Sequence, residues 1–451
     1  MAQGMIQRLL ALFMDAAEGM DLRCACIEME RLAVMVHRIM SFQSRQFHTL
    51  EHVFGFLPGA DHETALAAAF HDLVYYQVDD GLPPELEELL GPYLDREAAV
   101  IRLAAHGPTG DLSRDRPYGD CLAVFGFRPG QALQPFTGLN EFLSALVMMK
   151  VLEAHMPRAT RIAIAACIEA SIPFRGVDAQ GRGVGEVLEA RLSTMEGVDG
   201  IEAMVHRAVA FANEDVKDFA MADPGLFLSN TWKLLPESNA PLRYKGAFHV
   251  REYRVALGKM LGFFHSLHPD RIYRAYRGVP DPAALERLRE AARRNLELAD
   301  SYLRAKLLAV GLIEAVAEVS GGDAPMALFM GDLPKDSGDT ESLVSFLPAV
   351  SIPPWIRADD PVYRLLKDGR LSESPFDLKN SPLALYLHDR LPPEAWQADM
   401  GASEDYFTGK LPAEGFLMGF DSGLLRDFLS ACSRMVPTRK AVLESWLKAH
   451  A

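Results

Sequence analysis

The chain has 451 residues, of which 49 % are hydrophobic and 24 % charged, and it carries a formal net charge of −15. That composition is ordinary for a globular protein and supplies enough apolar material for a packed core, which excludes disorder as the default state; at ~100–200 residues per domain the length allows two or three domains. The acidic balance excludes nonspecific binding to polyphosphate, so an anionic substrate would need a local cation, either a metal or a small arginine cluster.

In chain order, the first apolar run, Leu9 to Met14, is too short to span a membrane and is followed at once by Asp15 and Glu18. It lacks a convincing cleavage site, so it reads as an amphipathic first helix of a cytoplasmic protein and not as a signal peptide. The pattern stays helical from Ala2 to about Gly55, with apolar side chains at three- and four-residue intervals over 21–41. Residues 62–76 are alanine-rich and predict a second strong helix, with Asp61 placed to cap it. Gly and Pro then recur from 77 to 138, which predicts a turn-rich insertion outside the helical core, with a short helix from about Glu85 to His106 inside it.

Helical patterns resume at Asn140–His155, Arg161–Ala170 and Gly185–Asp218. Residues 241–319 continue them, broken at Pro280 and Pro282, and Ala283–Val319 is the longest. After Gly321 the chain is rich in Gly, Pro, Ser and Asp until about residue 380, with an acidic solvated loop expected at Asp332–Glu341. The segment before it, 326–334, is apolar enough to dock on the helical core, and Asp421–His450 is again helical. With no internal repeat and no run of alternating strands, the expected class is all-α. The expected division is a catalytic helical domain over 1–240 carrying the insertion at 77–138, a helical extension over 241–320, and a C-terminal region over 321–451.

The five cysteines are Cys24, Cys26, Cys121, Cys167 and Cys432. Their number is odd and none form a CxxC pair, so neither a zinc ribbon nor a disulfide framework is expected, and a reducing compartment fits. No glycine-rich phosphate loop, Ser-His-Asp signature or basic nucleic-acid stripe is present.

Chemistry concentrates in four segments: FHTLEHV at 47–53, FHDLVYY at 70–76, NEFLSA at 140–145 and ANEDV at 212–216. His48 and His52 are spaced to share a helix face. His71 and Asp72 are adjacent in an otherwise apolar segment, where an aspartate is costly to bury unless it is paired or bound to a metal. Imidazole with carboxylate suits Mn, Fe, Zn or Mg better than soft copper. Arg45 and Arg175 are each able to neutralise a phosphate oxygen. His106 reads as a helix C-terminal dipole partner, and His265 with His268 before Pro269 as a helix end.

Together these segments resemble the HD superfamily of metal-dependent phosphohydrolases. FHTLEHV is similar to that family's YHNxxHxxxV helix, with Thr49 where many relatives carry Asn, and FHDLVY resembles its FHDxVY. The resemblance spans residues 40 to 235 and implies an HD-type helical bundle with additional C-terminal helices. It implies one or two divalent metal ions (Mn, Fe, Mg or Zn) held by His52, His71, Asp72 and a later aspartate. Asp215 is the best match for the last ligand and Asp218 is the alternative; Asp223 lies in the same stretch. It further implies His48 as general acid and Glu141, from NEFLSA, as the residue that orients a metal-bound water. CIEASIPFR at 167–175 is similar to an element lining the metal pocket, which brings in Ser171 beside Arg45 and Arg175 as substrate-binding residues. The implied activity is hydrolysis of a phosphate ester or phosphodiester, with a nucleotide-like or cyclic-nucleotide-like substrate. The alternatives are a di-iron oxygenase on the same scaffold and a non-catalytic ligand-binding or regulatory protein. The expected partner is a small phosphorylated molecule, with no membrane, and oligomerisation is left open.

Overall fold

A computed structural model describes residues 4–22, 25–97, 100–332, 341–357 and 359–450. The chain is all-α apart from one small three-stranded sheet. No helix among the described residues is long and apolar enough to cross a membrane. Cys24 and most of the expected acidic loop at 332–341 lie outside the described residues.

Two compact units emerge where three were expected: residues 1–220 with 267–292, and residues 221–266 with 293–451. The boundary expected near 320 does not divide the units, because residues 293–451 all belong to one of them; the division falls instead inside the 39-residue helix Pro282–Ser320.

The first unit opens with α1 (Met5–Gly19), which buries Leu9, Leu12, Phe13 and Ala16 along one face. Helix α2 (Cys26–Met40) buries Met29, Ala33, Val36 and Met40 in the same manner. The short α3 (Leu50–Gly55) follows, then α4 (His62–Phe70), whose N-terminus is capped by Asp61 accepting from the Thr64 N–H at 2.8 Å.

The expected insertion holds α5 (Pro84–Leu90), the antiparallel strands β1 (Leu94–Glu97) and β2 (Val100–Leu103), α6 (Arg116–Phe125) and β3 (Ala132–Leu133). The helix expected to reach His106 stops at Leu90. Gly91 and Pro92 follow, and proline can neither donate to the helix ladder nor avoid the preceding turn. His106 ends no helix and is exposed beyond β2. The segment is also not an excursion, because Leu86, Tyr93, Leu103, Tyr118, Cys121 and Phe125 all join the main core. Asp115 is buried there, accepting from Tyr93 Oη at 2.5 Å and from Lys150 Nζ at 3.1 Å.

Helices α7 (Leu139–Val151), α8 (Arg158–Ala170), α9 (Val184–Leu192) and α10 (Ile201–Asp215) follow, and residues 267–292 add the short helix Pro269–Ile272 and the start of Pro282–Ser320. Every residue of α8 from Arg161 to Ala170 is buried. A helix buried on all sides belongs at the centre of a bundle, and α4, α6, α7 and α10 pack around this one.

The charge buried most deeply in α8 is Glu169. Its carboxylate accepts from Arg175 Nη1 at 2.5 Å and from Arg191 Nη1 at 2.9 Å, and Arg191 Nη1 also donates to the Val124 carbonyl at 2.6 Å. Burial alone would raise the Glu169 pKa, but the Arg175 and Arg191 guanidiniums outweigh it and hold the carboxyl below its ordinary value. A depressed carboxylate pKa contributes stability above the unfolded-state value and loses it as pH falls through the folded-state value. Replacing Glu169 by Ala strands two guanidiniums and is expected to cost about 3–5 kcal/mol in denaturant unfolding. Glu169→Gln should in addition remove this residue's share of the wild-type acid-side loss of stability, visible as a shallower unfolding-against-pH curve below the ordinary glutamate range.

In the second unit, the helices Pro224–Trp232 and Val250–Ser266 and the later part of Pro282–Ser320 precede the stretch expected to be loop-rich. That stretch carries the short helices Met326–Met330 and Pro361–Lys367. The C-terminal helical pattern is realised as Ser422–Met435 and Lys440–His450.

Candidate metal centre

The HD dipeptide does not lie within a helix. Helix α4 ends at Phe70, so that His71 is its C-cap and Asp72 sits in the turn beyond. The expected helix over 62–76 is cut short because outside groups capture its backbone. The Val74 N–H donates to Ser144 Oγ at 2.9 Å and the Tyr76 N–H to Asn140 Oδ1 at 3.0 Å, both from α7. Arg45 takes the carbonyls, with Nη1 on Asp72 O at 2.7 Å and Nη2 on Leu73 O at 3.0 Å. Once these partners satisfy donors and acceptors locally, the helical pattern has nothing to gain by continuing.

Arg45 is itself buried and held by Asp79, through Nε at 3.1 Å and Nη2 at 2.5 Å. Neither side chain of that pair reaches solvent. The sequence suggested Arg45 as a phosphate contact; the structure places it beneath the turn as a brace, with Nε, Nη1 and Nη2 all engaged by the protein.

Four side chains meet at this turn. Ligand atoms of His52, His71 and Asp72 lie within 4.8 Å of one another. His71 Nε2 is 2.8 Å from Asp72 Oδ2, and His52 Nε2 is 3.7 Å from that same oxygen. The last residue of α10 completes the group, with Asp215 Oδ1 at 3.1 Å from His52 Nε2 and 3.6 Å from His71 Nε2. Two ligands in adjacent positions about 2.1 Å from one ion lie roughly 3.0–3.4 Å apart; the His52–Asp215 separation falls in that range and the other three lie just outside it.

The chemistry of the donor set tests the fit more sharply. His71 Nδ1 lies 2.9 Å from the Ala68 carbonyl, and only an N–H can make that bond, so in the neutral ring Nε2 carries the lone pair. Nε2 then faces a carboxylate oxygen, and both atoms are buried without a hydrogen-bond partner. Two buried acceptors turned on each other require a cation between or beside them, either a proton or a metal. Burial disfavours the charged form of His71, yet the Asp72 and Asp215 carboxylates prevail and hold its pKa well above the ordinary value. Burial would likewise raise both carboxyls, and the facing histidines instead hold them below the ordinary range. The cluster therefore demands positive charge.

Apolar rings surround the imidazoles. Phe56 and Phe211 stack at 4.8 Å between centroids, and His71 lies 5.2 Å from the first and 5.5 Å from the second. These phenylalanines exclude water from one side and fix the ring planes, and nothing in the HD motif itself pointed to them.

His48 precedes α3, so the shared helix face expected for His48 and His52 does not exist. The extended turn nevertheless keeps the rings close, with centroids 6.2 Å apart, and His48 packs edge-on against Tyr75 at 4.3 Å. Glu141 lies in the first turn of α7, one residue after Asn140, and its Oε2 is buried without a hydrogen-bond partner. Burial and the nearby Asp72 and Asp215 push this carboxyl up to about 7.

Ser171 and Arg175 serve the protein at this end of α8. Ser171 Oγ donates to the Ile168 carbonyl at 2.9 Å, and Arg175 is joined to Glu169. Asp218 lies in the short turn Lys217–Ala220 beyond α10, and Asp223 caps Pro224–Trp232 by accepting from the Gly225 N–H at 2.8 Å. The α10 end that presents Asp215 is stapled by Asn213, which exchanges two hydrogen bonds with the Arg274 backbone at 2.8 and 2.9 Å. Asn140 and Ser144 were legible as polar residues one turn apart on an otherwise apolar helix, although that signal does not say which backbone they hold.

No protein-family model matches the chain, and no curated protein or solved structure matches it either.

Asn140→Ala leaves the Tyr76 N–H without its partner and is expected to destabilise the protein by about 1–3 kcal/mol. Arg45→Met strands Asp79 and should cost more, about 3–5 kcal/mol. Urea unfolding of both variants checks the order.

Proposed function

We propose that the protein is a metal-dependent hydrolase of phosphate esters or phosphodiesters, of the HD type that its His52, His71–Asp72 and Asp215 segments resemble. The observation that carries this reading is the buried pair of facing acceptors, His71 Nε2 and Asp72 Oδ2, with His52 and Asp215 at ligand spacing around them. Two imidazoles and two carboxylates would hold a divalent ion such as Mn, Fe, Mg or Zn. When bound, such an ion supplies Lewis acidity and a water acidified enough to attack near neutral pH.

The remaining roles fall to residues of the chain. Glu141 presents a buried carboxylate oxygen beside the cluster, suited to accept a hydrogen bond from the attacking water and orient it. His48 stands outside the ligand group but next to His52, where in its imidazolium form it can pass a proton to the leaving oxygen and remain as the neutral ring. Arg45 holds the carbonyls of Asp72 and Leu73 and so keeps the ligand turn in place. Phe56 and Phe211 keep water off the imidazoles, which strengthens every charge interaction in the cluster.

Protein purified without chelator should contain a divalent metal, detectable by plasma mass spectrometry, and should hydrolyse generic phosphodiesters such as bis-p-nitrophenyl phosphate. His71→Ala and Asp72→Ala should lose both the metal and the activity. His48→Ala should keep the metal while kcat falls about 10²–10⁴-fold, the usual contribution of a positioned acid. Hydrolysis that survives in a metal-free Asp72→Ala protein would overturn the proposal.

A further inference from the structure

The second unit buries a charge it does not balance. Lys306, Arg370 and Asp377 are each about 95 % or more inaccessible, with residue exposures of 5 %, 3 % and 5 %. One oxygen, Asp377 Oδ2, accepts from Lys306 Nζ at 2.9 Å, from Arg370 Nη1 at 3.1 Å and from Trp232 Nε1 at 3.0 Å. Two cations therefore share one carboxylate. Among the described residues, no ion pair joins Lys306 or Arg370 to any other acid.

Aromatic faces take part of the excess, since the Arg370 guanidinium lies 4.3 Å from the Trp232 ring centre and Lys306 Nζ lies 5.5–5.9 Å from Trp232, Tyr302 and Tyr253. A π-face eases a cation without neutralising it. An uncompensated positive charge in such surroundings calls for an anion.

The space for one is present. A cavity that opens to solvent is lined by Lys306, Ser381 and Tyr253 on its polar side and by Ile313, Met326 and Met330 on its apolar side. Lys306 Nζ and Ser381 Oγ are 3.2 Å apart, so one ligand oxygen can reach both. Asp377, also in the wall, is already shared by Lys306 and Arg370, so the charge left over at this wall is positive. The apolar wall disfavours a bare inorganic ion, which would stay better solvated in water.

We propose that this cavity binds a small organic monoanion, a carboxylate with a short apolar body, its head on Lys306 Nζ and Ser381 Oγ and its body against Met326 and Met330. The site uses no residue of the metal cluster, so it stands or falls independently of the hydrolase reading.

The test is thermal unfolding of the full-length protein at fixed ionic strength with butyrate, hexanoate and benzoate, against butanol, hexanol, benzyl alcohol, butylamine and chloride. A ligand that binds only the folded state raises the unfolding temperature with saturable concentration dependence. The carboxylates should do so by a few degrees, the alcohols, amine and chloride should not, and Lys306→Met should lose the response. An equal response to the alcohols or to chloride overturns the proposal, as does a response that persists in Lys306→Met, which would place the anion elsewhere, the metal cluster included. Should Lys306→Met fail to fold, 4-bromobenzoate bound to the wild-type protein decides the matter. A bromine anomalous peak in this cavity supports the site, and its absence there overturns it.

Discussion

Two lone pairs point at each other inside the first unit, on His71 Nε2 and Asp72 Oδ2, 2.8 Å apart and shielded from water. Left alone they repel. The Ala68 carbonyl rules out the simplest escape, in which the neutral imidazole would turn an N–H toward the carboxylate, because it already requires the proton on Nδ1. Positive charge is thus built into the requirements of the fold, and His52 and Asp215 stand where they would share it. The aromatic wall raises the stakes, because low polarity strengthens both the repulsion and the attraction that replaces it.

Holding such an arrangement needs a rigid frame, and this one is made from interrupted secondary structure. His71 caps α4, Asp215 ends α10 and His48 precedes α3. Each lies where the helical ladder stops and the backbone looks for other partners. Arg45, Asn140 and Ser144 supply those partners around the HD turn, and Asn213 supplies them beside Asp215 through the Arg274 backbone. Polar residues that read as candidate chemistry in the sequence are thereby divided between those facing the cluster and those holding its backbone. Glu141 and its neighbour Asn140 show the division at one-residue resolution, the carboxylate presented to the site and the amide turned to Tyr76.

One carboxylate shared by two cations occurs twice, at Glu169 with the partly exposed Arg175 and Arg191, and at Asp377 with Lys306 and Arg370, which are buried. Water reaches the first pair of cations and is kept from the second. At the cluster of His52, His71, Asp72 and Asp215 the balance is reversed, and two carboxylates favour positive charge on the groups they face.

The all-α class was legible in the sequence, because apolar spacings such as those at Leu9, Leu12, Phe13 and Ala16 leave a helix only one way to bury its face. So was the oddity of His71 and Asp72, because histidine and aspartate beside each other in an apolar segment are expensive without a partner; His52 and Asp215 entered only through the resemblance. The ends of the helices were not legible. Residues 70–76 carry a helical pattern, but the ladder stops at Phe70 because side chains from Arg45 and from α7, distant in the chain, bind the backbone beyond it. The extent of the core was hidden for a similar reason: Gly and Pro mark where a chain turns, and do not say whether the apolar residues between the turns face inward. What the sequence by itself determined was therefore local, the helical faces and the residue types able to hold a cation. Tertiary structure decided which backbone groups lost their helical partners, that Arg45 braces the site from beneath, and that Asp215 closes the cluster, since each of these depends on a contact between segments that no local pattern records.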